Sequence, residues 1–252
     1  MPSVRIEVEK PFEEKLVRAK QLVKMFANKN ACVSCSFGKD SVVVLWLALQ
    51  ENPKITVIYN NTGIDWPEVQ LLKKHFVDFW GINLIETKPK KSFWWVQEHI
   101  LKKGLHRDDG KKQSDICCDY LKEGPFRTVV KLNRINNDLT GITAVASRHR
   151  MFTACQKGQE YFSKKDGVWK IHPILYWTPS EVWKFIHDNG IPENLAYKKY
   201  GLDRLGCMFC LSHRGWRAQL SRTNPKAYKF IQERYFHQKL LYDAFPERKE
   251  AT

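Results

Sequence analysis

The feature that most constrains the fold is a turn at Gly38, which lies between two apolar segments. A β-prone run at 31–36 leads into the turn, and a mostly apolar run at 40–50 follows it at a length typical of a buried helix. A second strand at 55–59 and a helix at 67–80 repeat this order. Strands that alternate with helices indicate a parallel α/β sheet, because parallel neighbours need a crossover between them.

The rest of the chain continues the alternation and then changes in composition. Segment 12–26 has apolar residues at helical spacing and acidic residues in its first turn, which predicts an amphipathic helix. The other predicted elements are a strand at 83–87, a helix at 93–103, a helical stretch at 114–132 broken at Gly124-Pro125, a buried strand at 139–145, a hairpin at 161–175 turning at 165–167, a helix at 181–188 capped by Thr178 and ended by Gly190, and a basic, aromatic helix at 225–245. The predicted fold is a parallel twisted sheet flanked by helices, of Rossmann-like type, with a C-terminal helical appendage that contains cysteines.

Composition excludes several classes of protein. The longest apolar run, 42–49, is much shorter than the roughly 18 residues of a spanning helix, and the N-terminus has no signal-peptide core, so we expect a cytoplasmic protein with no membrane partner. Six of the seven cysteines fall in three close pairs, which favours metal or sulfur chemistry over a disulfide scaffold. The net charge of +15 favours polyanionic partners, although a basic proteome gives the same balance.

The turn at Gly38 has the chemistry of an anion site. Because it passes from a strand into a helix, successive backbone N–H groups face one concave spot, where the helix dipole adds positive potential. Lys39 adds a point charge, and Asp40 suits a helix cap or a Mg²⁺ ligand. The spacing does not fit the Walker pattern. The phosphate-binding candidates are Ser36, Phe37, Gly38, Lys39, Asp40 and Ser41, and an ordinary strand-to-helix turn is the alternative.

The segment 36–41, which reads SFGKDS, resembles the SGGKDS signature of PP-loop ATP pyrophosphatases, with Phe37 in place of the first glycine. This resemblance implies an adenine nucleotide alpha hydrolase-like fold and an enzyme that cleaves ATP between the α and β phosphates and adenylates a substrate. It assigns catalytic roles to Lys39, Asp40 and Ser41. The stretch Asn61, Thr62 and Gly63 matches a second place where this superfamily contacts the nucleotide.

Three ordered segments narrow the resemblance. Segments 172–183 (HPILYWTPSEVW), 189–192 (NGIP) and 206–210 (GCMFC) closely resemble the phosphoadenylylsulfate/adenylylsulfate reductase family. This similarity covers roughly 31–210.

One segment departs from the family pattern. Thr143 and Ala146 stand where the family usually has charged residues. Arg148 and Arg150 remain the candidates for binding and activating the α-phosphate, and surface arginines on a loop are the alternative.

The cysteines form a second resemblance. Adjacent Cys117 and Cys118 followed by Cys207 and Cys210 resemble the arrangement that holds a [4Fe–4S] cluster in adenylylsulfate reductases and in some DNA-phosphorothioation enzymes. The resemblance makes these four residues metal ligands, and structural zinc (Zn²⁺) is the alternative, because four thiolates also form a closed zinc site.

The other cysteines have a different interpretation. Cys32 and Cys35 lie three residues apart on the first predicted strand, on opposite faces, and so do not form one metal clamp. Cys35 lies beside the phosphate loop, where positive potential would lower its pKa and let it carry sulfur. Cys155 is a second candidate sulfur carrier. The alternative is that Cys35 and Cys155 are small buried apolar side chains.

The function expected from these patterns is ATP-driven sulfur transfer. Reductases of the family attack with a cysteine in a C-terminal motif, and this sequence has no cysteine after Cys210 while it keeps the Gly-Lys-Asp-Ser pattern that those reductases have usually lost. We expect adenylation of an oxygen-bearing acceptor, release of pyrophosphate, and displacement of AMP by a sulfur donor. The alternatives are an adenylylsulfate or phosphoadenylylsulfate reductase that uses a partner thiol, and a non-catalytic ATP-binding regulator.

The expected cofactors and partners follow from this function. They are ATP, Mg²⁺, a sulfur donor such as a cysteine desulfurase, a nucleic-acid acceptor (tRNA, or DNA as in DNA phosphorothioation), and a second copy of the chain in a homodimer. Basic stretches at 88–91 and 102–112 and a basic, aromatic tail support a nucleic acid, although solvated helix faces give the same pattern. Three regions are predicted: an N-terminal helical extension at 1–30, a PP-loop nucleotide-binding domain at 31–200, and a Cys-x-x-Cys loop with a basic tail at 201–252.

Overall fold

The computed structural model describes residues 2–102, 110–210, 213 and 215–244. They belong to two compact units. The first unit comprises Met1–Asn60, Pro67–Thr87 and Phe126–Leu205, and the second comprises Asn61–Trp66, Lys88–Pro125 and Gly206–Thr252. None of the described helices is long and apolar enough to cross a membrane.

The helices and strands are numbered in chain order. The helices are α1 (Pro2–Glu9), α2 (Phe12–Phe26), α3 (Lys39–Glu51), α4 (Pro67–Trp80), α5 (Phe93–Lys102), α6 (Gly110–Cys118), α7 (Gly124–Leu132), α8 (Arg148–Lys157), α9 (Pro179–Asp188), α10 (Ala196–Tyr200), α11 (Trp216–Thr223) and α12 (Pro225–Ala244), with a π-helical turn at Asp119–Glu123 and a 3₁₀ turn at Ala144–Ala146. The strands are β1 (Ala31–Ser34), β2 (Thr56–Asn60), β3 (Asn83–Thr87), β4 (Asn137–Thr140), β5 (Glu160–Ser163) and β6 (Val168–Ile171).

One six-stranded sheet forms the centre of the first unit. Its order is β3-β2-β1-β4-β6-β5, and neighbouring strands are parallel except for the antiparallel pair β5-β6. At the middle of the sheet Val33 of β1 pairs with Val57 and Leu139, and all three side chains are fully buried. The predicted α/β sheet flanked by helices is confirmed, and the antiparallel pair is the predicted hairpin.

Helix α3 is buried on most of its surface. The side chains from Ser41 to Leu45, together with Leu47 and Ala48, are buried, and α2 and α9 pack against the helix. This burial explains why its sequence is continuously apolar instead of amphipathic. Helix α2 begins and ends at the predicted residues.

Helix α9 begins at a capping box. The Thr178 hydroxyl accepts a hydrogen bond from the Glu181 N–H at 3.3 Å, and the Glu181 carboxylate accepts one from the Thr178 N–H at 2.8 Å. Lys15 of α2 forms an ion pair with the same carboxylate at 2.6 Å. The predicted cap is confirmed, and it also ties α2 to α9.

Two predicted boundaries were wrong. The strand expected at 139–145 runs instead over Asn137–Thr140, because the chain then leaves the ladder and the Ala144 N–H bonds the Leu175 carbonyl at 2.7 Å. The helical stretch expected to break at Gly124-Pro125 instead passes through the π turn, in which the Gly124 N–H bonds the Asp119 carbonyl. Pro125 then lies in the first turn of α7, where its missing N–H is tolerated.

Several short helices were not predicted. They are α1, α8, α10 and α11. Helix α8 contains Arg148 and Arg150, which the sequence analysis placed in a loop. The Ser147 hydroxyl caps the helix by accepting from the Arg150 N–H at 3.2 Å, and Gly158 ends it with φ 68°.

The second unit is helical. Helix α5 packs against α6, and α11 packs against α12. The ring of Phe209 lies 4.7 Å from that of Phe93 and 6.2 Å from that of Trp216, so the predicted cysteine loop is anchored by aromatic packing. A bridge between Asp65 and Cys207 joins the segment after β2 to this loop.

Candidate functional site

The predicted phosphate loop connects β1 to α3. Gly38 is the N-cap of α3, and Phe37 before it has a left-handed backbone with φ 55°. The Phe37 ring is completely buried, 5.5 Å from the ring of Tyr59 and 5.9 Å from that of Phe76. The residue that departs from the glycine of the signature thus extends into the core, so among the phosphate-binding candidates Phe37 offers only its backbone.

The left-handed conformation of Phe37 carries strain that burial offsets. A non-glycine residue there costs about 1–2 kcal/mol, whereas burying a phenylalanine side chain gains about 1.5–3 kcal/mol. Its carbonyl accepts a hydrogen bond from the Asn194 side chain at 3.3 Å. The turn is therefore held from both its side chain and its backbone.

Polar groups of the loop bond to one another. The Lys39 ammonium donates to both carboxylate oxygens of Asp40, at 3.0 and 2.9 Å. The Ser41 hydroxyl donates to the Gly38 carbonyl at 2.9 Å and lies 3.3 Å from that of Ser36. The structure brings these predicted residues together, and an incoming phosphate would have to exchange such contacts for its own.

Gly141, directly after β4, touches the start of α3. A Cβ atom on this glycine would lie 2.5 Å from the carbonyl carbon and oxygen of Asp40 and 2.6 Å from the backbone nitrogen of Ser41. Only a glycine fits there, because the atoms that it would strike are backbone. Two strand ends therefore define the phosphate loop, that of β1 and that of β4.

The two candidate arginines have different environments. Burial is the main cause that lowers the pKa of Arg150; Arg204 lowers it further, and the opposing charge of Asp40 acts to raise it. Arg150 thus lies within electrostatic reach of the phosphate loop. Arg148, the first residue of α8, is exposed, and the contacts of the described residues do not connect it to the loop.

The predicted nucleotide contacts after β2 belong to the second unit. The Asn61 side chain accepts from the Gly63 N–H at 3.0 Å, and the Thr62 N–H donates to Asp65 at 3.0 Å. The Thr62 hydroxyl lies 3.7 Å from the sulfur of Cys207. These residues form a tight turn beside the cysteine loop.

The four predicted metal ligands meet in the second unit. Cys117, Cys118, Cys207 and Cys210 line one small cavity together with Ile64, Phe93, Ser114, Leu121, Lys122 and Phe209. Burial raises the pKa of Cys117 to about 12 and that of Cys118 to about 11, and neighbouring cysteines add to both shifts. Four sulfur atoms therefore share one largely apolar environment.

Lys122 is a charged residue that sequence reasoning missed. Burial alone would lower its pKa, but Cys207 and Cys118 outweigh burial and raise that pKa above its ordinary value. Its position four residues after Cys118, one helical turn on, was the signal that could have indicated it. A lysine here offsets part of the negative charge of thiolates.

The donor chemistry of the cavity fits a four-thiolate group. Thiolates are the ligands of iron–sulfur clusters and of closed zinc sites, and burying several of them requires compensating positive charge. As placed, the described side chains form no group of three or more His, Cys, Asp or Glu suited to holding a metal ion. The fit is therefore one of residue type and of a shared cavity.

The structure corrects the idea that Cys35 is an activated thiol. Its side chain is 2% exposed, burial raises its pKa to about 11, and its sulfur lies 3.6 Å from the Ser41 hydroxyl. Cys32 is also fully buried with a raised pKa, and Cys155 packs against the apolar cluster of Val4 and Leu175. Cys35 thus matches the alternative of a small buried apolar group, whereas Cys155 is only partly buried.

These features define the class of protein. A glycine turn follows a central parallel strand and leads into a buried helix, within a fold that solved structures of a phosphoadenylyl-sulfate reductase and an FMN adenylyltransferase share. The chain belongs to the phosphoadenosine phosphosulfate reductase domain family, an enzyme family whose model matches residues 30–213.

Individual relatives are distant. An uncharacterized protein of Methanocaldococcus jannaschii is 29% identical over 209 residues, which are 81% of this chain but only 47% of that protein. The adenosine 5'-phosphosulfate reductase of Geobacillus kaustophilus is 25% identical over 181 residues, 70% of this chain and 71% of that one.

Solved structures share the fold. A phosphoadenylyl-sulfate reductase from Candida auris, in a phosphate complex, has a TM-score of 0.57 at 20% identity and covers 75% of this chain and 87% of its own. An FMN adenylyltransferase from Candida glabrata, solved with FMN and an ATP analogue, has a TM-score of 0.58 at 12% identity. The match covers 81% of this chain and 68% of the adenylyltransferase.

Proposed function

We propose that the protein is an ATP pyrophosphatase that adenylates an acceptor for sulfur transfer. The observation that carries the proposal is the phosphate loop: a backbone N–H array at the start of α3, held in place by Gly141, with Lys39 and Arg150 adding positive charge. This arrangement suits the pyrophosphate part of ATP better than the phosphosulfate anhydride of a sulfonucleotide, which carries no β and γ phosphates.

The reaction has two steps. An acceptor oxygen attacks the α-phosphorus of ATP, the bond from that phosphorus to the bridging oxygen breaks, and pyrophosphate leaves. A sulfur nucleophile then attacks the activated carbon or phosphorus of the acceptor, and AMP leaves with the acceptor oxygen. Lys39 and the loop amides would stabilise the charge on the leaving pyrophosphate, and Arg150 would hold the α-phosphate.

Mg²⁺ and the four-cysteine group have supporting roles in this proposal. A carboxylate at Asp40 and phosphate oxygens are the ligands that Mg²⁺ prefers. The four cysteines would hold a [4Fe–4S] cluster, or zinc as the alternative, and when bound the cluster supplies a site for sulfide or braces the second unit. The Lys122 ammonium keeps the thiolates partly neutralised.

The acceptor in this proposal is a nucleic acid. The net charge of +15 supports it through counterion release, with tRNA and DNA both open. A sulfur donor such as a cysteine desulfurase would supply the second step. If neither tRNA nor DNA binds in fluorescence anisotropy at low salt, this part of the proposal is wrong.

The test is a product assay on anaerobically purified protein. Wild type, Lys39→Ala and the surface control Lys74→Ala are incubated with Mg²⁺ and either ATP or adenosine 5'-phosphosulfate, and AMP, pyrophosphate and sulfite are measured. We expect AMP and pyrophosphate from ATP in wild type and in the control, and a loss of at least tenfold in Lys39→Ala, since an interaction with a charged phosphate contributes about 1.5–3 kcal/mol.

A second candidate function is favoured by the named relatives. The Geobacillus kaustophilus relative is a reductase of adenosine 5'-phosphosulfate. Sulfite from this substrate in the presence of a thiol reductant, with ATP unchanged, would establish the reductase and refute the adenylation proposal.

A further inference from the structure

A tyrosine hydroxyl occupies part of the phosphate loop. The hydroxyl oxygen of Tyr197 accepts a hydrogen bond from the backbone N–H of Lys39 at 2.9 Å, although the residues are 158 positions apart. The Leu205 backbone also hydrogen bonds this hydroxyl. A Cβ atom on Gly38 would lie 3.1 Å from the same oxygen, so glycine leaves room for the tyrosine.

The Tyr197 oxygen lies at the N-terminus of α3. Backbone N–H groups at a helix N-terminus are the donors that phosphate oxygens use. Lys39 is the first residue of α3, and its N–H lies beyond the reach of any intrahelical partner. The hydroxyl oxygen therefore stands where an oxygen of a bound pyrophosphate would be expected.

The fold fixes the tyrosine in this place. The Asn194 side chain, 1% exposed, donates to the Phe37 carbonyl at 3.3 Å and accepts from the Ala196 N–H at 3.0 Å, so it connects the phosphate loop to α10. The Tyr197 ring packs edge-on against Trp183 at 5.0 Å, and the residue is 7% exposed. The packing of the ring therefore positions the hydroxyl oxygen at the Lys39 amide.

We propose that Tyr197 is a placeholder: its hydroxyl accepts the Lys39 N–H until a pyrophosphate-bearing ligand displaces it. The proposal rests on the proposed function, since it needs a phosphate to bind at the loop. Burial raises the pKa of Tyr197 above its ordinary value, so the oxygen is that of a neutral phenol. A phosphate oxygen forms a charge-assisted bond about twice as strong, and displacement is therefore favourable.

The placeholder has a measurable consequence for selectivity. It competes only with ligands that carry a pyrophosphate, so it weakens their binding and leaves AMP unaffected. Removing the hydroxyl should tighten pyrophosphate binding by about three- to tenfold, the range of one ordinary hydrogen bond. A tyrosine that instead donates to the bound phosphate would give the opposite change.

The test compares Tyr197→Phe with the control Tyr200→Phe. Tyr200 lies on the same helix, and its hydroxyl donates to the Glu68 carboxylate at 2.8 Å. Isothermal titration with inorganic pyrophosphate, ATP and AMP, each with Mg²⁺, should show tighter pyrophosphate and ATP binding in Tyr197→Phe only, with AMP binding unchanged. Unchanged or weaker pyrophosphate binding in that variant overturns the placeholder alone. Wild type that binds neither pyrophosphate nor ATP overturns the proposed function as well.

A second measurement needs no variant. Hydrogen–deuterium exchange of the backbone amides in wild-type peptides covering 194–200 should become faster when pyrophosphate is added, because α10 loses its tie to Lys39 through the tyrosine. Slower exchange there would mean that the tyrosine holds the ligand, and the placeholder would be wrong.

Discussion

Replacing Gly141 by alanine tests whether the end of β4 positions the phosphate loop. The new Cβ would lie 2.5 Å from the Asp40 carbonyl group and 2.6 Å from the Ser41 nitrogen. Ordinary contacts of this kind begin near 3.4 Å, so backbone must shift by roughly 0.9 Å. Overpacking of this type costs about 1–3 kcal/mol. In a chain of 252 residues that lowers the melting temperature by about 2–12 °C.

The same shift should weaken ligand binding. The Ser41 N–H is one of the loop donors, and a displacement near 1 Å takes a hydrogen bond outside its usual 2.7–3.2 Å range. Losing one bond to a charged phosphate costs about 1.5–3 kcal/mol, which raises the Kd for pyrophosphate by about 10- to 150-fold.

Calorimetric titration with pyrophosphate and a thermal melt measure both effects. Gly206→Ala is the matched control, because a Cβ there meets no atom within 4 Å. Binding within twofold of wild type and an unchanged melting temperature in Gly141→Ala would show that this contact does not position the loop.

Two further predictions concern pH and metal. His172 is 4% exposed and burial lowers its pKa from 6.5 to about 3, so its neutral form stabilises the fold fully above pH 6.5, and this contribution is lost as the pH falls from 6.5 towards 3. Urea unfolding at pH 8 and pH 5 measures this contribution. The free energy of unfolding should fall by about 2 kcal/mol more in wild type than in His172→Gln, and equal losses would contradict a buried neutral imidazole. Cys207→Ser should lose most of the iron or zinc measured per chain after anaerobic purification, whereas Cys155→Ser should keep it. Equal metal content in the two variants would exclude the four-cysteine cavity as the site.

Much of the fold could be predicted because local signals agreed with the tertiary structure. Helix α4 and strand β3 have the predicted bounds, and the Thr178 cap and the hairpin turn were recognised from turn and cap residues. The errors lie where a tertiary contact overrides local preference. The run after Leu139 reads as a strand, but the Ala144 N–H finds its acceptor in Leu175 instead of a neighbouring strand.

The candidate site was predicted in part. The sequence located the loop 36–41 and offered two arginines, of which Arg150 interacts electrostatically with Asp40 of that loop. Of the two interpretations left open for Cys35, a lowered pKa is contradicted, because burial outweighs the hydrogen bonds from the Phe37 backbone and the Ser41 side chain. Tyr197 was missed, since a residue so far along the chain carries no local signal of its contact.

The sequence by itself determined the alternation of strands and helices, the phosphate turn and the family, because these depend on periodicity, glycine placement and ordered motifs within short windows. Only the tertiary structure decided that the Phe37 ring enters the core, that Gly141 admits no side chain, and that Tyr197 bonds the Lys39 amide. Each of those outcomes depends on which distant atoms the folded chain brings within a few ångströms of one another. Such close packing cannot be predicted from a short stretch of sequence, whereas periodicity can.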